Sequence, residues 1–357
     1  MNKITTKHLM IIIFAISTIS LRTYSSLFIN LGGRDTWIAV LLAGVIISLC
    51  LFFVLYVSKK TDSFNFKEVL DKTYPKFLSK ILCFLFAVGL FITCIETASV
   101  ESSSIHTNIF LETPYWYCLL FFIVPAGYAI TKSFRSILSI TVLIVIAVFI
   151  NNILLFIFLY EYIKIDYIMP ILGQTVLSDF LITLLFSLGG LSCVFIFLPY
   201  LKLLKDDRKI LKYSIVTSIL IILISSSSVL SVISTFGPNR ATNIFYPEFI
   251  QSQRVQLYGF IEFGNLMFLF RTVCNWFIKY LLCATAIIYL YKDKINSKKT
   301  FSIVFSILVF VISYLVGTKQ YRLFYILNFY QLFALLTLLV IPLLTYSIYY
   351  FKSSKKN

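Results

Sequence analysis

The chain has 357 residues, of which 59% are hydrophobic and 13% charged, with a formal net charge of +16. A soluble domain carries roughly twice that charged fraction. Apolar runs of about 18 residues or more recur from end to end, so the composition excludes a soluble globular fold and defines a polytopic membrane protein.

The first apolar stretch, residues 8–30, is too long for the apolar region of a signal peptide and has no small-residue cleavage site behind it, so it is expected as a retained span. Its middle is polar: Ser17, Thr18, Ser20, Arg22, Thr23, Ser25 and Ser26 interrupt it. Thr18, Arg22 and Ser25/Ser26 fall at helical spacing and share one face. Arg22 lies on the order of 20 Å from the cytoplasmic end at 1.5 Å per residue. An arginine at that depth costs several kcal/mol against lipid, so it must face other helices, water or a ligand.

Nine further spans are expected at about 36–57, 78–101, 115–131, 136–160, 179–200, 211–235, 265–291, 299–316 and 325–350. The 31 Lys and Arg residues then divide 22 to 6 between the two faces, with Arg22, Arg271 and Lys279 inside spans. That bias places both termini in the cytoplasm. It also accounts for the positive charge without a nucleic-acid partner. Residues 58–77 read as a cytoplasmic loop carrying a short amphipathic surface helix. Residues 236–264 read as a packed external loop with a short helix, suited to act as a lid.

Ten spans divide into two sets of five. Five is odd, so the halves, about 8–160 and 179–350 of a single transmembrane domain, have opposite membrane topology, the arithmetic of an inverted repeat. Span 6 carries Ser187, Gly189, Gly190 and Ser192 at its centre. The glycine pair either unwinds the helix or lets another helix approach closely, and the residues alone leave both readings open.

Several short pieces then occur in order along this frame: Gly33-Arg34-Asp35-Thr36-Trp37-Ile38, Thr113-Pro114, Pro170-Ile171-Leu172, Pro199, Phe236-Gly237, Tyr246-Pro247, Phe260-Ile261-Glu262 and Trp276. In order and spacing they resemble the B subunit of spore germinant receptors (the GerAB/GerKB type), a branch of the amino acid–polyamine–organocation transporter superfamily. The resemblance implies a LeuT-like five-plus-five fold, with a small-nutrient site between spans 1, 3, 6 and 8. It also implies assembly with A and C subunits in the spore inner membrane. The chain departs from the pattern in span 1, where a glycine-containing turn and a following proline are replaced by Ser17-Thr18-Ile19-Ser20 and Ser25, and Arg22 stands at an apolar place. Asn265 and Tyr128 stand where acidic residues are usual.

Candidate ligand contacts follow: Thr18, Ser20 and Arg22 in span 1, Glu96 in span 3, Ser187, Gly189, Gly190 and Ser192 in span 6, and Arg271 and Asn275 in span 8. Glu96, roughly 27 Å from the cytoplasmic side, lies within about one turn of Arg22 in depth and is the expected ion-pair partner. Glu101 is expected at the interface. Arg271, Asn275 and Lys279 share one helix face, which predicts a polar stripe toward the bundle interior. Lys279 receives no ligand role. Asn151, Asn152, Asn328 and Gln331 read as interhelical hydrogen-bonding groups, and Trp37, Trp116, Tyr115, Tyr117 and Tyr200 as an interfacial aromatic belt.

The two histidines, His8 and His106, lie far apart, and the seven cysteines form no Cys-x-x-Cys spacing and read as small packing residues. No catalytic cluster, metal site or cofactor is expected, so an enzyme is disfavoured. Two functions remain. One is a nutrient-sensing receptor subunit that binds an amino acid or sugar. The other is a secondary transporter of amino acids or related small solutes.

Overall fold

The structure is a computed structural model that describes residues 4–17, 19–173, 176–256 and 263–354. Thr18, and Phe260, Ile261 and Glu262 of the resemblance, lie outside those residues. The described chain is all helical. Span 1 is in pieces: α1 (Thr6–Ser17), α2 (Ile19–Thr23) and α3 (Ser25–Gly32). Next come α4 (Thr36–Lys60), the short α5 (Phe66–Thr73) and the long α6 (Lys76–Asn108). Then follow α7 (Tyr115–Ile130), α8 (Phe134–Leu159) and α9 (Leu177–Leu191).

From Ser192 to Leu203 the chain of span 6 continues as a 3-10 helix. Beyond it lie α10 (Ile210–Phe236), the loop helices α11 (Pro238–Thr242) and α12 (Pro247–Ser252), and α13 (Phe263–Leu290). The chain closes with α14 (Lys298–Gly317), α15 (Gln320–Ala334) and α16 (Ile341–Ser354), the last two joined by a π-helical segment, Leu335–Val340. Eight helical stretches among the described residues are long and apolar enough to cross a membrane, and α7 is a shorter apolar helix.

Local sequence explains many of the boundaries. The side chain of Ser133 accepts a hydrogen bond from the Ser136 amide at the start of α8, and Ser297 does the same for Thr300 in α14, each satisfying a donor the helix leaves free. Gly237 ends α10 at φ 74°, a conformation that penalises any Cβ. Pro342 lies just beyond the π segment; it has no amide to give to the helix ladder, and wide turns accommodate such losses.

Span 1 lies at the centre of the bundle. Every residue from 19 to 29 is buried, packed among α9, α10, α12 and α13. Apolar side chains on the outer helices point away from the core: Leu49, Phe84, Leu143 and Leu315 are each about 60% exposed or more, the pattern of a lipid-facing surface. The N-terminal segment is tied to the end of span 6, since the Ile4 amide donates to Leu203 O at 2.9 Å and the Lys205 amide donates to Ile4 O at 2.9 Å.

Both long loops carry short helices. Phe66, Val69 and Leu70 bury one face of α5 against α6 and α16. In the loop after α10, α12 buries Pro247, Glu248, Phe249, Gln251 and Ser252 in the bundle. Of the expected aromatic belt, Trp116 and Tyr117 are half exposed. Tyr115 and Tyr200 are instead buried, with hydroxyls donating to Ser313 O at 3.2 Å and Leu282 O at 2.5 Å. Glu101 is also not interfacial: α6 runs on to Asn108, so the carboxylate is carried inside the bundle and fully buried.

Candidate functional site

The short helix α2 distributes its side chains to two separate ionic clusters. Ser20 and Tyr24 are four residues apart and face α6. Arg22 is two residues from each, about 200° round the helix, so it faces the opposite way. This is why the expected Arg22–Glu96 pair does not form.

Glu96 pairs with Lys279 of α13, Nζ to Oε2 2.8 Å, and both side chains are almost wholly excluded from solvent. Its other oxygen accepts from Ser20 Oγ at 3.0 Å and from the Tyr24 hydroxyl at 2.8 Å. Lys279 also donates to Ser20 Oγ at 2.5 Å and lies 4.9 Å from the Trp276 ring centroid. Gln331 of α15 donates to the Tyr24 hydroxyl at 3.3 Å. Tyr24 stacks between Phe28 and Trp276, with centroids 6.0 and 6.5 Å away. The cluster therefore joins spans 1, 3, 8 and 10 at the break in span 1. Gln331 Oε1 and Trp276 Nε1 of this cluster, and Ser25 Oγ in α3 and Ser187 Oγ in α9, are buried polar atoms without a hydrogen-bond partner. Such atoms cost on the order of 1–3 kcal/mol each unless something satisfies them.

The second cluster centres on Glu248 of α12. Arg22 Nε lies 3.2 Å from Glu248 Oε1, and Arg271 Nη2 lies 2.6 Å from Oε2. Ser228 of α10 donates to Oε1 at 2.5 Å. Burial raises the Glu248 carboxyl, but the two guanidiniums and the serine hydroxyl outweigh it and hold it below the usual carboxylate range. Arg22 Nη1 and Arg271 Nε remain without a hydrogen-bond partner. Both arginines line a cavity of about 220 Å³ bounded by α8, α10 and α12.

Of the residues singled out in the sequence, Ser20 and Glu96 meet in the first cluster, and Arg22 and Arg271 in the second. Arg271, Asn275 and Lys279 do form a buried stripe on α13. Ser187, Gly189, Gly190 and Ser192 lie buried in span 6, where Ser192 Oγ donates to Gly189 O at 2.6 Å. The helix does not unwind at the glycines; it changes type one residue after Leu191. Gly189 serves close packing, because a Cβ there would stand 2.1 Å from Gln331 O. Asn151 donates across to Met267 O at 2.7 Å, whereas Asn328 donates within its own helix, to Phe324 O.

Sequence reasoning missed Glu248 and gave Lys279 no partner. A signal was present. Three cations, Arg22, Arg271 and Lys279, lie inside spans, and Glu96 is the one carboxylate away from a span end, Glu101 and Asp179 standing at theirs, so loop carboxylates were candidates for the other cations.

The bundle of apolar helices, with buried charges at a broken first helix, shares its fold with a solved membrane transporter. The fold matches that of Mhp1, a nucleobase-cation-symport-1 family transporter solved in a closed conformation with bromovinylhydantoin bound. The TM-score is 0.64 at 14% identity, covering 91% of this chain and 75% of that one. The chain belongs to the spore germination protein family, whose model matches residues 3–323. No curated protein matches it. It is therefore a multi-pass integral membrane protein, and the spore inner membrane is the location that fits this family.

Proposed function

We propose that this chain is the nutrient-sensing membrane subunit of a spore germinant receptor, that it binds a small germinant at the Glu96–Lys279 cluster, and that it signals through A and C subunits. Membership of the germination family and the transporter fold support the general role. The observation that carries the site is the Lys279–Glu96 pair bridged by Ser20 at the break in span 1.

That arrangement favours an amino acid over a sugar. A zwitterion exchanges with a buried ion pair without changing net charge: its carboxylate replaces Glu96 at Lys279, and its ammonium replaces Lys279 at Glu96. A neutral sugar offers no such exchange and would leave the pair closed. The buried unpartnered Gln331 and Trp276 groups supply further hydrogen bonds to the bound molecule. The exchange also gives a signal, because opening the pair frees span 1 from spans 3 and 8.

The test is thermal unfolding of the purified chain against panels of amino acids and sugars. An amino acid raises the midpoint, and Lys279→Met removes the response. Stabilisation by sugars alone would overturn the zwitterion site. The second reading, a secondary transporter of amino acids or related solutes, is favoured by the likeness to a transporter structure. Robust uptake of the stabilising solute into proteoliposomes holding this chain alone would establish it in place of a pure sensor.

A further inference from the structure

We infer that the cavity between α8, α10 and α12 is a binding site for the headgroup of an anionic phospholipid, separate from the Glu96–Lys279 cluster. The charge count comes first. Arg22 and Arg271 share one carboxylate, Glu248, and among the described residues no other carboxylate pairs with either arginine. Among the described residues one positive charge is thus left over, where Arg22 is 6% and Arg271 4% exposed. A leftover charge at that depth is costly unless a counter-charge, backbone carbonyls or water in a cavity compensate it. Both arginines line the cavity, and Arg22 Nη1 and Arg271 Nε have no hydrogen-bond partner.

The shape says what carries the counter-charge. Ser227, Ser228, Asn152 and Gln251 line the cavity with the two arginines; Ser228 donates to Glu248, Ser227 to Ile224 O and Gln251 to Ser231 and Thr235, which leaves the Asn152 amide and the guanidiniums to meet phosphate oxygens. The remaining wall is apolar, and Phe149, Ile153 and Phe156 on it are 36%, 47% and 55% exposed. They belong to the outward face of α8, which also exposes Leu143, Ile146, Ile150 and Ile157. The cavity therefore opens on the lipid-facing surface rather than on water. An anionic head with an acyl chain along α8 fits both halves, whereas a free anion uses only one. The occupant would fix Arg22 on span 1 and Arg271 on span 8, so lipid charge would bear on the position of the helix that carries Ser20.

The experiment uses the full chain in nanodiscs of phosphatidylcholine alone, of phosphatidylcholine with phosphatidylglycerol, and of phosphatidylcholine with added inorganic phosphate. Phosphatidylglycerol raises the unfolding midpoint by several degrees, and phosphate does not. Asn152→Phe, which fills the mouth of the cavity and breaks none of the ion pairs, loses the shift. So does Ser227→Phe on the exposed rim, a position where a large apolar side chain is compatible with folding. No effect of phosphatidylglycerol on the wild-type chain overturns the site. An equal shift from phosphate overturns the lipid as occupant. A shift that survives in either folded variant places the lipid effect elsewhere and also overturns it.

Discussion

Lys279 and Glu96 are joined twice, directly at 2.8 Å and through Ser20, whose hydroxyl donates to the carboxylate and accepts from the ammonium. Removing either charge strands the other inside the bundle. Glu96→Gln and Lys279→Met are each expected to cost about 3–5 kcal/mol. The double variant recovers most of that loss, because a neutral pair needs no compensation. Unfolding midpoints of the four proteins in one detergent give the coupling. Additive losses would show that the two charges are compensated separately.

The same logic separates Arg22 from Glu96. A charge swap, Arg22→Glu with Glu96→Arg, recovers nothing, since the two residues face opposite sides of α2. A double-mutant cycle of Arg22→Gln and Glu248→Gln shows a coupling energy of roughly 0.5–3 kcal/mol. Folded yield and midpoint are the readouts, and rescue by the swap would place Arg22 beside Glu96 after all.

Glu248 makes stability depend on acid. Its folded-state titration lies below the unfolded value of about 4.3, so the stabilisation it contributes is fully present above that value and is lost as pH falls through the folded one. The stability difference between the wild type and Glu248→Gln should hold between pH 7 and pH 5 and shrink below about pH 4. Glu248→Gln begins lower at neutral pH, so the two curves converge in acid. Midpoints measured across that range check it, and parallel curves would remove Glu248 as the titrating group.

The glycine pair of span 6 is asymmetric. Gly189→Ala places a methyl 2.1 Å from the Gln331 carbonyl oxygen, a backbone atom that cannot swing aside. Gly190→Ala meets its first neighbour at 3.3 Å, the flexible end of the Gln331 side chain. The first variant is expected to lose 1–3 kcal/mol or more and to accumulate poorly in the membrane. The second is near neutral. Equal yields of folded protein would count against the close approach of spans 6 and 10.

Much of the bundle was legible because lipid enforces a simple rule: long apolar runs become helices, and their charged flanks mark the ends. The polar break in span 1 and the stripe Arg271, Asn275, Lys279 were legible for the same reason, since neither can face lipid. Pairing was not. Arg22 and Ser20 differ by two positions, and which of them meets Glu96 depends on the rotation of a five-residue helix that no local pattern fixes. Glu248 was invisible because its loop reads as external, and only tertiary packing carries α12 into the bundle. Gly189 shows a further limit. A glycine that frees the backbone and one that admits a neighbour look the same in one sequence.

The 3-10 segment of span 6 stores length. Twelve residues, Ser192–Leu203, wind as a 3-10 helix. At about 2.0 Å per residue they reach on the order of 24 Å, whereas an α-helix of twelve reaches about 18 Å. Rewinding them would draw the Leu203 end of span 6 inward by about 6 Å, roughly one helical turn. Ile4 and Lys205 are hydrogen-bonded across that end, so the N-terminal segment would travel with it. A change of winding buried in the membrane would thus become a displacement at its surface.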